Sequence, residues 1–430
     1  MRWQSFQTTI TASLTLVLLT LTLPSRVRAA EYTVLYQFPG GTSGGFPAAG
    51  LLLDMAGNLY GTTVYGGAPN CRLGGQCGVV FKLTANPDGS WSESVLYSFT
   101  GWDGAYPSGL IFDSDGNLYG TTGEGGGNGC YERGCGTVFK LTPKPDGSWK
   151  RSQVHLFNDT DGTYPANDLI FDTAGNLYGT TTGGGDLSCA HPYGCGVVFK
   201  LKHKPDGRWK SNRLHAFSRK TDGVSPYGGV IFDAVGNLYG TTFSGGIGYG
   251  TVFKLTPEPD GKHWKKSQLY AFQQTDGNNP LGNLTFDAAG NLYGTTVYGG
   301  DPTCVPYGCG VVFTLAHTPE GIWTESTLHA FKNTDGAYPE ADLIADAAGN
   351  IYGTASGGGD LSCVTTYGCG VVFKLTLKPD GSWKMVQLHR FNGTDGDQPF
   401  GGLTFDAAGN LYGTTYTGGT GEGVIFRITP

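Results

Sequence analysis

The stretch GNLYGTT at residues 57–63 recurs along the whole chain and decides its architecture. The stretch or a close variant of it begins at Gly57, Gly116, Gly175, Gly236, Gly290, Gly349 and Gly409. The seven copies are separated by 59, 59, 61, 54, 59 and 60 residues. A regular period of this length is typical of a propeller, a solenoid or an array of domains.

Four strand-like segments in each period favour the propeller. In the second period they are LIFD (110–113), NLYGTT (117–122), TVFKL (137–141) and SQVHLF (152–157), which we name strands A, B, C and D. Turn sequences bound these segments, which are rich in β-branched and aromatic residues. Four antiparallel strands form one blade, and seven blades close around a central channel. We therefore predict an all-β fold, a seven-bladed β-propeller that occupies residues 30–430 as a single domain.

Two other organisations are less favoured. A unit of one period without a disulfide would be a marginal domain on its own, and two of the seven periods have no cysteine. The 73 glycines recur at fixed positions, as turns require, so they do not indicate a disordered chain.

The two ends of the repeat array predict how the ring closes. The array begins with YTVLYQF (32–38), which has the pattern of strand D, and ends with GVIFRIT (423–429), which has the pattern of strand C. The last repeat therefore lacks a strand D of its own. We expect the first segment to pair with the last, which removes two exposed strand edges.

The N-terminus has the features of a secretory signal peptide. Arg2 precedes an apolar run at residues 10–23, and a Val-Arg-Ala sequence ending at Ala29 suits cleavage there. The run of 14 residues is shorter than the ~20 that a membrane-spanning helix needs, so a retained anchor is the weaker interpretation. We expect cleavage near Ala29 and a secreted or periplasmic protein without stable membrane insertion.

The charge of the chain argues against two classes of partner. The formal net charge is −7, and residues 1–29 hold three arginines and no acidic residue, so the remainder carries −10. A net acidic surface disfavours binding to nucleic acid and to anionic membranes.

Strand parity sorts the connections onto two faces of the ring. The short A–B and C–D turns, such as those at 113–116 and 145–147, lie on one side, which we call the turn face. The B–C and D–A loops lie on the other side, which we call the loop face. The loops vary between repeats whereas the turns hardly change, and variable loops on a rigid scaffold usually carry function.

All ten cysteines lie in B–C loops. Each pair is either complete or absent within a repeat, which predicts local disulfides in an exported protein, in the pairs Cys71/Cys77, Cys130/Cys135, Cys189/Cys195, Cys304/Cys309 and Cys363/Cys369. A metal site is the weaker alternative, because each loop offers only two thiols and no regular histidine.

A repeated acidic residue follows strand D in six repeats, with Ser43 in the corresponding place of the first blade. One interpretation is a turn in which the carboxylate accepts hydrogen bonds from backbone N–H groups. The other is a crown of carboxylates near the channel mouth that holds sugar hydroxyls or a cation, although the other ligands of a calcium loop are missing. The crown residues are Asp103, Asp161, Asp222, Asp276, Asp335 and Asp395.

Tyrosines form a second candidate binding set on the loop face. Tyr193, Tyr307 and Tyr367 precede Gly-Cys in the B–C loops, and Tyr106, Tyr164 and Tyr338 precede proline in the D–A loops. Aromatic faces take up the C–H surface of a sugar while nearby polar groups bind its hydroxyls. The alternative is that these rings pack between neighbouring blades.

The repeat unit also resembles a known family. The pattern YPxGLIFDxxGNLYGTTxxGG, followed by GCGVVFKL, is similar to the Gloeo/Verruco tandem repeat of exported bacterial proteins, whose arrays are often followed by a C-terminal surface anchor. The resemblance covers essentially all of residues 30–430. It implies export and a propeller-like repeat, and it implies no established activity. A weaker similarity to NHL-type propellers rests on the same A–B corner.

Three classes of function follow from these patterns. The leading hypothesis is an exported binding or interaction module on the loop face, acting as a monomer without a cofactor or a bound metal. Its expected partner is a saccharide or a cell-envelope polymer, with a protein as the alternative. The second is a secreted lyase or glycosidase-like enzyme that uses carboxylates near the channel mouth, but no unrepeated catalytic set is recognisable in the sequence. The third is a purely structural surface protein.

Overall fold

The computed structural model describes residues 30–130, 132–165, 168–189, 193–218, 221–304, 306–318, 321–363 and 367–430. The predicted signal peptide at residues 1–29 lies outside the described residues. Within them the chain forms seven antiparallel sheets of four strands each and one 3-10 turn at Gly41–Ser43. The predicted seven-bladed all-β propeller is confirmed.

Strands A and B form the inner half of each blade. The A strands are β2 (Leu52–Leu53), β6 (Ala105–Phe112), β10 (Ile170–Phe171), β14 (Ile231–Phe232), β18 (Thr285–Phe286), β22 (Ile344–Ala345) and β26 (Thr404–Phe405). The B strands are β3 (Leu59–Thr63), β7 (Leu118–Glu124), β11 (Leu177–Thr181), β15 (Leu238–Thr242), β19 (Leu292–Thr296), β23 (Ile351–Ala355) and β27 (Leu411–Thr415).

Strands C and D form the outer half. The C strands are β4 (Val79–Ala85), β8 (Thr137–Pro143), β12 (Val197–His203), β16 (Thr251–Pro257), β20 (Val311–His317), β24 (Val371–Leu377) and β28 (Val424–Thr429). The D strands are β5 (Trp91–Ser98), β9 (Trp149–Leu156), β13 (Trp209–Ala216), β17 (Trp264–Ala271), β21 (Trp323–Ala330), β25 (Trp383–Arg390) and, from the N-terminus, β1 (Glu31–Gln37).

The first strand closes the ring as the sequence predicts. Strand β1 pairs antiparallel with β28, in a register that runs from Glu31 opposite Thr429 to Gln37 opposite Val424. The seventh sheet therefore has the order β1-β28-β27-β26, with its outermost strand taken from the opposite end of the chain.

The second glycine of GNLYGTT explains why this stretch recurs. A Cβ atom at Gly61 would lie 2.6 Å from the ring of Phe81 on the neighbouring strand C, so no larger residue fits there without a shift. In every blade, a Cβ atom at the corresponding glycine would lie 2.5–2.7 Å from the ring of the corresponding phenylalanine. The tip of the strand C ring can therefore lie against the backbone of strand B.

That same ring joins one blade to the next. The Phe99 ring, just after strand D of the first blade, meets the Phe139 ring of the second blade edge to face, at 5.1 Å between ring centroids. Six further pairs of this kind have centroid separations of 5.0–5.4 Å. All of these rings are buried. Offset and edge-to-face ring pairs add about 0.5–1.5 kcal/mol beyond the area that they bury.

The hydrophobic core is correspondingly divided among the junctions of the blades. Each of seven buried clusters combines residues of two adjacent blades. The cluster at the closure, for example, joins Phe38 and Tyr412 of the last blade to Leu59 and Phe81 of the first. The blades therefore stabilise one another, and none has a core of its own.

The A–B corner shows why an aspartate and an asparagine accompany the motif. The Asp54 carboxylate accepts hydrogen bonds from the backbone N–H groups of Ala56 and Asn58, the Asn58 side-chain amide and the Tyr60 hydroxyl. Gly57, within this turn, has φ of 82°. The corresponding aspartates of the other blades cap their A–B turns in the same way. This aspartate set is a structural part of the turn face.

The residue before the loop proline adopts a left-handed backbone conformation in every blade. These residues are Phe46, Tyr106, Tyr164, Ser225, Asn279, Tyr338 and Gln398, with φ between 54° and 60°. For bulky residues this conformation is strained, so neighbouring structure must hold it in place. The backbone N–H of each residue donates to a carbonyl in the B–C loop of the preceding blade, at 2.7–3.1 Å.

The disulfides support these hydrogen bonds between blades. All five predicted pairs are formed, with Cα–Cα distances of 5.1–5.8 Å, which confirms the loop-local assignment. In each bridged loop the acceptor carbonyl belongs to the second cysteine, for example Cys77 for the N–H of Tyr106. In the two repeats without cysteines the acceptors are Tyr249 and Glu422. The disulfide therefore stiffens the loop that holds the next blade.

The second cysteine of each bridge lies deep in the junction between two blades. The backbone carbonyls of Cys195 and Cys309 accept from the N–H groups of Ser225 and Tyr338, at 2.9 Å in both cases. The side chains of Cys195 and Cys309 are 0% and 1% exposed. The other three second cysteines are buried as well, namely Cys77, Cys135 and Cys369. These bridges therefore belong to the core of the ring as much as to its loops.

We expect deletion of residues 31–38 to lower the melting temperature by at least about 10 °C, because it exposes the edge of β28 and opens the Phe38 junction. The measurement is thermal unfolding followed by circular dichroism. The matched control is a circular permutant that begins at residue 39 and carries residues 31–38 after Pro430 through a Pro-Asp-Gly turn like that at 379–381. An unchanged melting temperature in the deletion variant would refute the closure model.

Reduction of the disulfides should loosen one set of amide groups selectively. We expect hydrogen exchange at the backbone N–H of Tyr106, Tyr338 and Gln398 to accelerate at least about tenfold, because their acceptor loops lose the crosslink. The amides of Phe46 and Asn279 are internal controls, since their acceptors lie in loops without cysteine. Equal acceleration of both sets on reduction would contradict the role assigned to the disulfides.

Candidate functional site

The loop face carries the exposed aromatic surface of the molecule. Among the described residues, the six most exposed tyrosine, tryptophan and phenylalanine side chains all lie in loops on this face. They are Tyr65, Trp102, Tyr193, Tyr227, Tyr307 and Tyr367. Exposed aromatic groups concentrated on one face mark a candidate contact surface.

The three B–C loop tyrosines of the predicted site point outward. Tyr193, Tyr307 and Tyr367 are 58%, 58% and 63% exposed. The Tyr307 ring contacts that of Tyr298 at 5.6 Å between centroids, and the Tyr367 ring contacts that of Tyr338 at 5.9 Å. Tyr307 and Tyr367 therefore form a continuous aromatic surface with Tyr298 of a B–C loop and Tyr338 of a D–A loop. Their role in binding remains a prediction.

The cysteines of the same loops do not join this contact surface. The structure places Cys195 and Cys309 in the interior. Cys195 belongs to the buried cluster between blades three and four, and Cys309 to the one between blades five and six. Both sulfur atoms are bonded in disulfides. Cys195 and Cys309 are thus core residues that support the loops from below, and they offer no surface to a ligand.

The crown carboxylates make local contacts within their own loops. Asp103 accepts hydrogen bonds from the Thr100 backbone N–H and from the Tyr97 hydroxyl of strand D. The other five also accept from a backbone N–H three or four residues earlier, at 2.7–3.0 Å. Each contacts the tyrosine or histidine at the same place in strand D, namely His155, His215, Tyr270, His329 and His389.

This geometry is that of a capped turn, with the carboxylates turned toward the outer strands. None of Asp103, Asp161, Asp222, Asp276, Asp335 and Asp395 is among the residues that line the cavity on the propeller axis. Their proposed contact with a ligand stays untested.

The ring encloses an axial cavity of about 790 Å³. The residues between the loop proline and strand A form much of its wall, together with the first residues of the B–C loops. Aromatic rings on the loop-face side of this wall are those of Tyr106, Tyr227, Phe400 and Tyr416. A concave site with aromatic walls and few polar groups is the usual form of a small-molecule binding site.

Three polar side chains reach into the cavity near the axis, and we call Asp168, Asn283 and Asp342 the axial trio. The Asn283 side-chain amide donates to Asp342 at 2.6 Å and to Asp168 at 3.4 Å, and the Asn283 backbone N–H donates to Asp342 at 2.6 Å. The Asn283 side-chain oxygen accepts from the backbone N–H of Gly229. The trio therefore links blades three, five and six across the channel.

Neighbouring glycines make room for the trio. A Cβ atom at Gly109 would lie 1.4 Å from a carboxylate oxygen of Asp168, and one at Gly229 would lie 2.9 Å from the side-chain oxygen of Asn283. The first threonine of GTT helps to position this segment. The Thr295 hydroxyl, for example, donates to the carbonyl of Ala341 in the next blade, at 3.3 Å. This hydrogen bond holds Ala341 so that the next residue, Asp342, lines the channel.

Sequence reasoning missed the axial trio. All three residues occupy the same position of the repeat, directly before the leucine or valine that leads into strand A, and the four other repeats have glycine there. Those glycines are Gly50, Gly109, Gly229 and Gly402. The sequence signal for the axial trio is the departure from glycine at this position in three repeats.

The cavity carboxyl groups have raised pKa values. Burial raises the pKa of Asp168, and the nearby Asp342 carboxylate raises it further. Burial also raises the pKa of Asp342, although the hydrogen bonds from Asn283 oppose the shift. Burial raises the pKa of Glu340, on the cavity wall, to about 7, while a hydrogen bond from the Ser356 hydroxyl opposes this shift. Low solvation favours the uncharged acid in all three cases.

The charged groups around the cavity are almost entirely acidic. No lysine, arginine or histidine is among the described residues of its wall. Arg133 approaches the Tyr106 side chain, but it forms an ion pair with Glu124 at 2.6 Å. The described wall therefore combines carboxyl groups with amide and hydroxyl groups and carries no basic side chain.

Elsewhere in the part of the chain that the structure describes, three groups of metal-binding residue types come close together. Two of them combine a disulfide with Asp159 or Asp397, so their sulfur atoms are already bonded. The third is the exposed turn of Glu258, Asp260 and His263. None of these groups lies on the wall of the axial cavity.

The comparison with protein families agrees with the repeat architecture. The model of the Gloeobacter/Verrucomicrobia repeat matches residues 25–203, 187–362 and 307–430. Together these matches span the whole propeller, and the chain belongs to this repeat family. No curated protein matches the chain. Within the described residues, no helix is both long and apolar enough to span a membrane.

The buried trio predicts an unusual dependence of stability on pH. Because its pKa is raised in the folded protein, Asp168 holds a proton that the unfolded chain releases above about pH 4, so folding stability falls as the pH rises toward neutrality. We expect Asp168→Asn to raise the melting temperature by about 2 °C or more at pH 8, and by less at pH 4.

The control for this prediction is Asp146→Asn on the turn face, where hydrogen bonds from Ser148 lower the pKa of the carboxyl. That substitution should give no stabilisation at pH 8. Thermal unfolding at both pH values makes the measurement. A lower melting temperature of Asp168→Asn at pH 8 than of the unchanged protein would show that the carboxylate is needed in its charged form.

Proposed function

We propose that this propeller is an exported binding module that holds a saccharide or a cell-envelope polymer on its loop face. The proposal rests on one observation above all, the concentration of exposed aromatic rings on the loop face, on a ring whose axial cavity carries carboxyl and aromatic groups. Aromatic faces and convergent polar groups are the combination that sugar recognition uses. Five disulfides on the same face are typical of an exported protein.

The aromatic surface has two continuous parts. One runs from Phe400 through Tyr416, Phe46 and Tyr65 to Tyr106, with centroid separations of 5.1–5.7 Å. The other, on blades five and six, joins Tyr298 to Tyr307 and Tyr338, and Tyr338 to Tyr367. A polymer that crosses the cavity mouth could contact both parts, while a single sugar unit enters the cavity.

The loop face is also held rigid before any ligand binds. The left-handed residues before proline fix each D–A loop against the B–C loop of the preceding blade, and disulfides stiffen five of these B–C loops. A preorganised surface loses little conformational entropy on binding, which favours affinity. This rigidity supports a binding role for the loops in addition to their structural one.

Hydrolysis of a bound glycan is a second candidate, favoured by the carboxyl pair of Asp168 and Asp342. Both carboxyls contact the same Asn283 nitrogen, and both have raised pKa values. Glycoside hydrolysis needs two carboxyl groups on either side of the scissile bond, one of them protonated near neutral pH. Release of reducing ends from a bound oligosaccharide, and its loss in Asp342→Asn, would establish this activity.

A glycan and cell-wall-fragment binding screen with the exported protein tests the proposed function. For a ligand found in this way, we expect Tyr193→Ala and Tyr367→Ala to weaken binding by about 1 kcal/mol or more, because each removes an exposed ring from the contact surface. The melting temperature should hardly change, since both side chains are largely exposed. Titration calorimetry gives both the affinity and the stoichiometry.

Asp88→Ala and Asp380→Ala are the matched controls on the turn face. Each carboxylate caps an exposed turn next to Ser90 or Ser382, at the opposite end of the blade from the loops. Both variants should bind as the unchanged protein does. Loss of binding in these controls, with full binding in the tyrosine variants, would place the functional face on the other side of the ring.

A further inference from the structure

We propose that the axial cavity recognises an ammonium group, and that the polymer it binds is built of amino sugars with free amines. This inference rests on the proposed function, because it names the chemical class of ligand for the same face. Two properties of the cavity carry it together: three carboxyl groups with no basic residue among the described residues of the wall, and aromatic rings on the loop-face side of the cavity.

The acidity of the wall favours a cationic ligand. Asp168, Asp342 and Glu340 all line the cavity, and no lysine, arginine or histidine does so among the described wall residues. Burying several carboxyl groups together is unfavourable unless they are protonated or paired with a cation. An ammonium ion that enters the cavity would allow them to ionise and would form charge-assisted hydrogen bonds with them.

The aromatic rings suit the same ligand. Tyr106, Tyr227, Phe400 and Tyr416 line the cavity on the loop-face side. The face of an aromatic ring attracts a cation within about 6 Å, and it also packs against the C–H surface of a sugar ring. An amino sugar offers both features in one unit, an ammonium group and an apolar C–H surface.

The same chemistry excludes other glycans from tight binding. A uronic acid or a phosphorylated sugar would bring a negative charge next to Asp342 and Glu340, which costs free energy in a poorly solvated site. An N-acetylated sugar has the right shape but no charge to pair with the carboxyl groups. The cavity should therefore discriminate between sugars that differ only at the amine.

Titration calorimetry with matched oligosaccharides of equal length tests this inference. The probes are β-1,4-linked oligomers of glucosamine, N-acetylglucosamine, glucose and glucuronic acid, measured at about pH 6 with the exported protein. We expect the glucosamine oligomer to bind at least about tenfold more tightly than the N-acetylated one. The glucuronic acid oligomer should bind most weakly. Because carboxyl groups ionise on binding, the glucosamine complex should also release protons, which appears as a dependence of the binding heat on the buffer.

Substitutions connect the preference to the cavity. Glu340→Gln and Asp342→Asn keep the shape of each side chain and remove its charge. Both should reduce the preference for the glucosamine oligomer over the N-acetylglucosamine oligomer, while the N-acetylglucosamine oligomer still binds. Asp380→Asn on the turn face is the control and should leave the ratio unchanged. Thermal unfolding checks that each variant is folded.

The outcomes separate this inference from the proposed function. Equal binding of the glucosamine, N-acetylglucosamine and glucose oligomers would overturn the inference and leave the proposed function in place. Tight binding of an oligolysine peptide with no binding of the glucosamine oligomer would overturn the choice of an amino sugar. If none of the four oligosaccharides or the cell-wall fragments binds, both proposals fall.

Discussion

The contact between a strand B glycine and a strand C phenylalanine supports the rest of this structure. Gly61 has no side chain, so the Phe81 ring lies directly over its backbone, at a distance that a Cβ atom would not tolerate. The ring is then placed to receive the edge of Phe38 from the adjoining blade. One small residue in GNLYGTT thus determines both the packing within a blade and the packing between blades.

Because this contact is repeated at every junction, stability belongs to the closed ring. Each buried cluster draws residues from two blades, so a blade at an open end would leave half a cluster exposed. Strand β1 solves this problem by completing the last blade with the first segment of the array. On the loop face, each left-handed loop residue donates a hydrogen bond to the preceding blade, so these bonds also run from blade to blade around the ring. Buried cysteines such as Cys195 and Cys309 supply acceptor carbonyls for them.

The blades repeat one another almost exactly, so the positions at which they differ are candidates for function. On the turn face every blade uses the same aspartate cap, and the core of every junction uses the same pair of rings. On the axis, however, three blades replace a glycine with Asp168, Asn283 or Asp342. A symmetric scaffold needs no such difference. The buried acidity of the cavity is therefore the best structural indication of a specific ligand.

The sequence by itself determined the blade count, the strand order, the closure by β1 and the five disulfides, because each depends on a local pattern or on its exact repetition. It also distinguished the two faces through strand parity. It could not reveal the axial trio, because Asp168 and Asp342 lie 115 and 59 residues from Asn283 along the chain. Only closure of the ring brings these blades to a common axis, and only the crowding there removes water from their carboxyl groups. The chemistry of the cavity was therefore decided by the tertiary structure.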